Sequence, residues 1–326
     1  MTNRELHGVI VPVVTPVNKK EEVDESVFRR ILRRLIEAGV HGIFVGGSAG
    51  EGPLLGDREW RRMVETAIDE VDGDVPLLAG AMDTSAQRVC NRVKTLKTLG
   101  YRYFVLTPSF YYSAKSSSEQ LRLFGQAKEA AGKMEMVAYN IPQCTGAALG
   151  VETVCEMARR GLIRYCKESS GDWKYLKSLI RKGTEVGLVV LAGDEPLAAD
   201  ALLAGAKGIV PVCANYTPER YIRLYETASR GDRKAARDLM PELMSIRDNL
   251  LLSGPCWIAG IKYAMSALGF GSGQCVSPLE PVDEKRTALI DAMVESHCDA
   301  ALTRRNGARR RTTVRRQEVR VVVKGN

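Results

Sequence analysis

The chain has 326 residues, 45% of them hydrophobic and 26% charged, proportions of a soluble globular protein rather than of a disordered or fibrous one. The formal net charge of +8 invites a polyanion partner, yet nine of the 47 basic and one of the 39 acidic residues fall in 301–326, leaving 38 against 38 before them. A neutral body with a basic tail argues against nucleic-acid binding as the main role, and the absence of an apolar run near 18 residues argues against a membrane span.

The N-terminus is polar for seven residues and then runs apolar only over Val9–Val14, broken by Pro12, which reads as a buried strand and not a signal peptide. Short β-branched runs then alternate with longer amphipathic ones. The expected strands are Gly8–Val14, His41–Val45, Pro76–Gly80, Tyr103–Leu106, Glu135–Tyr139, Ile163–Lys167, Leu188–Ala192 and Gly208–Val212. The expected helices are Glu25–Ala38, Arg58–Val71, Ala86–Leu99, Glu119–Ala131, Val151–Arg160, Trp173–Arg181, Leu197–Leu203 and Pro218–Ala228. Asp24, Asp57, Ser85, Ser118 and Asp172 stand near helix starts as caps, and Gly39, Gly100, Gly132, Gly161 and Gly205 stand where helices stop.

Strand then helix, eight times in about 220 residues, is the rhythm of an α/β fold of the (β/α)8 TIM barrel type. A doubly wound sheet is the rival, but Thr15-Pro16-Val17 after the first strand is no glycine-rich phosphate turn. Beyond the eighth unit, Arg233–Leu252, Pro255–Leu268 and Val282–Val294 read as helices that pack on the barrel or form an oligomer interface. The organisation expected is a barrel over 1–230, a C-terminal helical appendage over 231–300 and a disordered basic tail over 301–326.

Eight cysteines (Cys90, Cys144, Cys155, Cys166, Cys213, Cys256, Cys275, Cys298) include no C-x-x-C pair and read as free thiols in a cytoplasmic protein. The three histidines, His7, His41 and His297, make no cluster with metal-ligand spacing, so no metal and no cofactor is expected.

In such a barrel, chemistry belongs to the C-terminal strand ends and the loops after them. Those positions carry Gly46–Gly52, Thr107–Tyr112, Tyr139–Pro142, Lys167-Glu168 and Gly193–Glu195, with hydroxyls, phenols and one lysine but no histidine. Alternation puts Lys167 on the same face as Ile163 and Tyr165, inside the barrel. An inward lysine is desolvated, its pKa falls, and the neutral amine can attack a carbonyl to form a Schiff base. The plainer reading is a face assigned one residue out, with Lys167 on the surface pairing Glu168. Tyr139, at the matching place on the preceding strand, favours the first reading as an acid/base partner, with Ser48, Tyr111 or Tyr112 to relay its proton. The turn Gly47-Ser48-Ala49-Gly50 can offer backbone N–H groups to a carboxylate.

Gly47-Ser48-Ala49-Gly50-Glu51, Tyr139-Asn140-Ile141-Pro142 and Lys167-Glu168, in this order and spacing, resemble the dihydrodipicolinate synthase / N-acetylneuraminate lyase family. Gly193-Asp194-Glu195 and Gly208-Ile209-Val210 extend the similarity over about Leu6 to Leu268. The resemblance implies a homotetrameric barrel that binds pyruvate or another 2-oxo acid as a Schiff base. It implies Lys167 as the Schiff-base lysine, Tyr139 as proton donor and acceptor, and Ser48 as relay. Tyr111, in preference to Tyr112, would be a second relay reaching a neighbouring subunit. Gly47, Ala49 and Val210 would hold pyruvate; Cys144, Asp194 and Glu195 would face the second substrate. Ala49 stands where the family carries a threonine, Cys144 where the lysine-biosynthesis enzymes carry an arginine, and Pro196 where the sialic-acid lyases carry an acid. These departures point away from 4-hydroxy-tetrahydrodipicolinate synthase and towards an aldolase for a sugar acid or hydroxy-2-oxo acid. A dehydratase or deaminase using the same Schiff base, and a binding protein that has lost catalysis, are the alternatives.

Overall fold

The computed structural model of the protein describes residues 5–251 and 256–297. The expected tail over 301–326 lies outside the described residues. Eight strands, β1 (Gly8–Pro12), β2 (Gly42–Val45), β3 (Leu77–Gly80), β4 (Tyr103–Leu106), β5 (Glu135–Asn140), β6 (Tyr165–Glu168), β7 (Val189–Ala192) and β8 (Gly208–Ile209), close in sequence order into one parallel barrel. The last seam is made by Gly8 opposite Gly208 and Val9 opposite Ile209. The fold is a (β/α)8 TIM barrel.

Strand residues alternate between two cores. Ile10, Phe44, Leu78, Val105, Val137, Tyr139, Tyr165, Leu191 and Val210 fill the interior, while Val9, Val11, Ile43, Val45, Phe104, Ala138, Cys166 and Val190 pack outward in the core shared with the helices. Those helices are α1 (Glu25–Glu37), α2 (Asp57–Val71), α3 (Ala86–Thr98), α4 (Ser117–Ala131), α5 (Pro142–Thr145), α6 (Val151–Arg159), α7 (Trp173–Glu185), α8 (Ala198–Leu203) and α9 (Pro218–Ser229). The appendage consists of α10 (Arg233–Asp238), α11 (Met240–Leu251), α12 (Trp257–Ala267) and α13 (Glu284–His297). Among the described residues no helix is long and apolar enough to cross a membrane.

Several local expectations shift for identifiable reasons. The helix expected over 233–252 breaks near Leu239, because Pro241 brings no N–H to the ladder and serves instead in the first turn of α11. Ser116, not Ser118, caps α4, in a reciprocal capping box with Glu119. Asp57 lies inside the first turn of α2, and Gly56 holds the cap position. Asp24, Ser85 and Asp172 cap as expected, each accepting from backbone N–H groups of the first turn. Strand β6 starts at Tyr165, so Ile163 joins the outer core and shares no face with Tyr165. Strand β8 is only two residues long; Pro211 follows it, and Val212–Asn215 turns as a short 3-10 helix.

Candidate active site

Tyr139 on β5 and Lys167 on β6 are direct register partners, so their inward side chains meet at the C-terminal mouth of the barrel. The Lys167 Nζ lies 4.0 Å from the centre of the Tyr139 ring and 5.2 Å from that of Phe44. Lys167 is 5% exposed and, among the described residues, makes no hydrogen bond or ion pair. Burial brings its pKa down to about 7, and the nearby Cys144 acts weakly in the other direction. Glu168 points to the opposite side of the strand, where it accepts from Asn140 Nδ2 at 3.1 Å and from the Ser170 N–H at 2.8 Å. The surface pairing of Lys167 with Glu168 is therefore not formed. Burial raises the Tyr139 phenol, while Ser48 and Ser169 act on it in the opposite sense.

The turn after β2 sits over this pair by tight packing. A Cβ on Gly47 would fall 2.7 Å from the Phe44 ring, and one on Gly50 would fall 2.8 Å from the Val13 carbonyl oxygen, so only glycine allows the loop to lie this close to the barrel rim. Glu51 closes the turn in a left-handed conformation, φ 55°. The amides of Ser48, Ala49 and Gly50 donate to no group among the described residues. Successive free N–H groups in a turn are of the kind that can cradle an anion. Val210 lies in the same interior cluster as Tyr139, its N–H committed to the Ala192 carbonyl at 2.8 Å.

Of the remaining residues named from the sequence, Cys144 adjoins the pair. Cys144 is carried by α5, a one-turn helix not expected from the sequence; Pro142 starts it and Gly146, at φ 65°, ends it. It is exposed at the rim, where Ser48 and Lys167 both act on its thiol. Asp194 is half-buried beside Gly171, and burial raises its pKa. Glu195 is buried and turned to the backbone, accepting from the Cys213 N–H at 2.8 Å. Tyr111 and Tyr112 stand at the surface, 85% and 84% exposed, ring edge to ring face; neither contacts Lys167 or Tyr139 within the chain. Tyr111 is held at φ 71°, a strained setting for a tyrosine.

Two features of the site carry little or no sequence signal. Glu51 and Lys262, both buried, form an ion pair between the β2 loop and α12, and the Val276 N–H adds a bond to the same carboxylate at 2.7 Å. Trp257, at the start of α12, lines a cavity at the mouth together with Ser48, Phe110, Ile141 and Cys144. A lysine inside the apolar run Trp257–Leu268 was the available signal for the first; nothing local signals the second.

The chain matches the dihydrodipicolinate synthetase family over residues 5–297. A 4-hydroxy-tetrahydrodipicolinate synthase of Methanothermobacter thermautotrophicus is 32% identical over 275 residues, covering 83% of this chain and 95% of that protein. N-acetylneuraminate lyase 2 of Escherichia coli is 30% identical over 294 residues, covering 89% and 94%. Among solved structures, the E. coli K12 prophage protein YagE, a member of the dihydrodipicolinic acid synthase family in complex with pyruvate, superposes with a TM-score of 0.84 at 26% identity, covering 90% of this chain and 99% of that one. The two curated relatives carry different activities on one fold, so they establish kinship without choosing a substrate. The chain belongs to the dihydrodipicolinate synthetase family.

Proposed function

We propose that the protein is a Schiff-base lyase that condenses Lys167 with pyruvate or a related 2-oxo acid and makes or breaks a carbon–carbon bond at the adjacent carbon. The observation that carries this reading is the buried, unpaired Lys167 amine with a pKa near 7, set against the Tyr139 ring. An amine of this kind is about half neutral at pH 7, and that fraction is nucleophilic without a separate base. The pyruvate carboxylate would sit on the free amides of Ser48, Ala49 and Gly50, which do not need the threonine hydroxyl that Ala49 lacks.

Lys167 attacks the carbonyl carbon; Tyr139 delivers the proton that lets the carbinolamine lose water, and takes the methyl proton that turns the imine into an enamine. Ser48, beside Tyr139, relays that proton towards solvent. The enamine carbon then bonds to the second substrate's carbonyl carbon, and cleavage is the reverse. The pyruvate complex of YagE supports pyruvate as the first substrate. The homotetramer rests on the family resemblance; the exposure of Tyr111 leaves its side chain free to complete a neighbour's site.

Enamine formation is tested by following the methyl protons of pyruvate in deuterium oxide by NMR. The protein should exchange them for deuterium, and Lys167→Ala should not; no exchange by the wild type would remove the reading.

A further inference from the structure

The mouth cavity, about 230 Å³, is walled by Leu54, Phe110, Ile141, Cys144, Trp257 and Leu279. Its polar groups are few and mostly committed. Glu51 also lines it, but its carboxylate is taken by the Lys262 ammonium and the Val276 N–H. The Thr145 hydroxyl has its one hydrogen engaged by the carbonyl oxygens of Ile141 at 3.1 Å and Ala147 at 2.8 Å. What remains among the described residues is the Ser48 hydroxyl, the Thr107 hydroxyl, which has no hydrogen-bond partner, and the thiols of Cys144 and Cys256. Among the described residues no arginine, histidine, aspartate or lysine lines the cavity.

These walls adjoin the reacting amine, because Ser48 and Cys144 line the cavity and also act on Tyr139 and Lys167. A carboxylated aldehyde would leave water here for a surface without a counter-charge, and a polyhydroxy aldehyde would lose hydration at most of its hydroxyls without replacement. An apolar cavity of about 150 Å³ already admits a benzene-sized ring. We infer that the subsite beside the Schiff base selects an uncharged aldehyde bearing an aromatic or branched aliphatic group. This rests on the Schiff-base reading above and deepens it.

The step is balanced without a co-reactant. The enamine carbon of bound pyruvate forms the new bond to the aldehyde carbon, the aldehyde oxygen takes one proton and becomes a hydroxyl, and water releases the product from Lys167. Pyruvate and R-CHO together give the 4-hydroxy-2-oxo acid R-CHOH-CH2-CO-COO⁻, with no change in overall oxidation level.

One sample of the full-length protein is treated with pyruvate and borohydride to establish imine formation, and a separate, untreated sample is assayed for pyruvate consumption with four aldehydes. Benzaldehyde and 3-methylbutanal should exceed succinic semialdehyde and glyceraldehyde in kcat/KM by more than about tenfold. If the imine is trapped and succinic semialdehyde or glyceraldehyde matches the apolar pair, or if no aldehyde is consumed, the inference falls while the Schiff-base reading stands. If no imine is trapped, both fall.

Discussion

Gly193 leaves the space that the Lys167 side chain fills. A Cβ at position 193 would lie 2.0 Å from Ser169 Oγ and 2.8 Å from Lys167 Cε, so both side chains would have to move. The residue that positions the amine is thus on the neighbouring strand's end and carries no chemistry of its own. Gly193→Ala should displace Nζ from the Tyr139 ring and slow imine formation by one to two orders of magnitude, roughly what a misplacement of about 1 Å costs. Stopped-flow trapping of the imine, with circular dichroism to verify the fold, reads this directly.

Lys167 also ties stability to pH. Its folded pKa is about 7 against 10.5 for the free side chain. Between these values the unfolded chain holds a proton that the folded chain does not, so the lysine's contribution makes the fold more stable as pH rises from 7 to 10.5. Below pH 7 the full cost of a buried ammonium is present. The slope in that window is at most about 1.4 kcal/mol per pH unit. Lys167→Met removes the contribution, so the variant should be more stable than wild type at pH 7.5, and its advantage should shrink by pH 9.5. Urea unfolding of both proteins at the two pH values checks the sign.

The Glu51–Lys262 pair binds the appendage to the loop that carries Ser48. Glu51→Gln leaves a buried ammonium without its partner and should cost about 3–5 kcal/mol. Lys262→Met combined with Glu51→Gln should recover most of that loss, because the stranded charge is gone. Recovery of stability without recovery of kcat would show that the pair also positions the loop. Thermal unfolding and steady-state kinetics on the single and double variants separate the two effects.

Tyr139→Phe keeps the ring against Lys167 and removes the proton donor. Its kcat should fall about 10²- to 10⁴-fold. Wild-type kcat/KM should rise with pH through about 7 as Lys167 loses its proton. A pH profile of both proteins tests whether the phenol and the amine act as assigned.

Much of this site was legible in the sequence because barrel geometry makes strand ends predictable. Two-residue alternation along β5 and β6 is enough to turn Tyr139 and Lys167 inward, and the match between the ends of adjacent strands brings them together. The alternation stops at Tyr165 and does not reach Ile163, because the sequence shows an apolar run and not where hydrogen bonding begins. The second-substrate side was much less legible. Cys144 depends on a one-turn helix, and Trp257 reaches the mouth from 90 residues beyond Lys167 in sequence. No local pattern encodes such contacts: they depend on how the appendage docks. Glu195 shows the converse, since an acidic residue at a strand end can be used to hold the loop after the next strand.

The central claim is that Lys167 is the covalent nucleophile. The direct measurement is digestion and mass spectrometry of the protein after incubation with pyruvate and borohydride. One stable reduced pyruvate adduct is expected, on the peptide containing Lys167, and none in Lys167→Ala. An unmodified Lys167 peptide, or an adduct confined to another lysine, would contradict it.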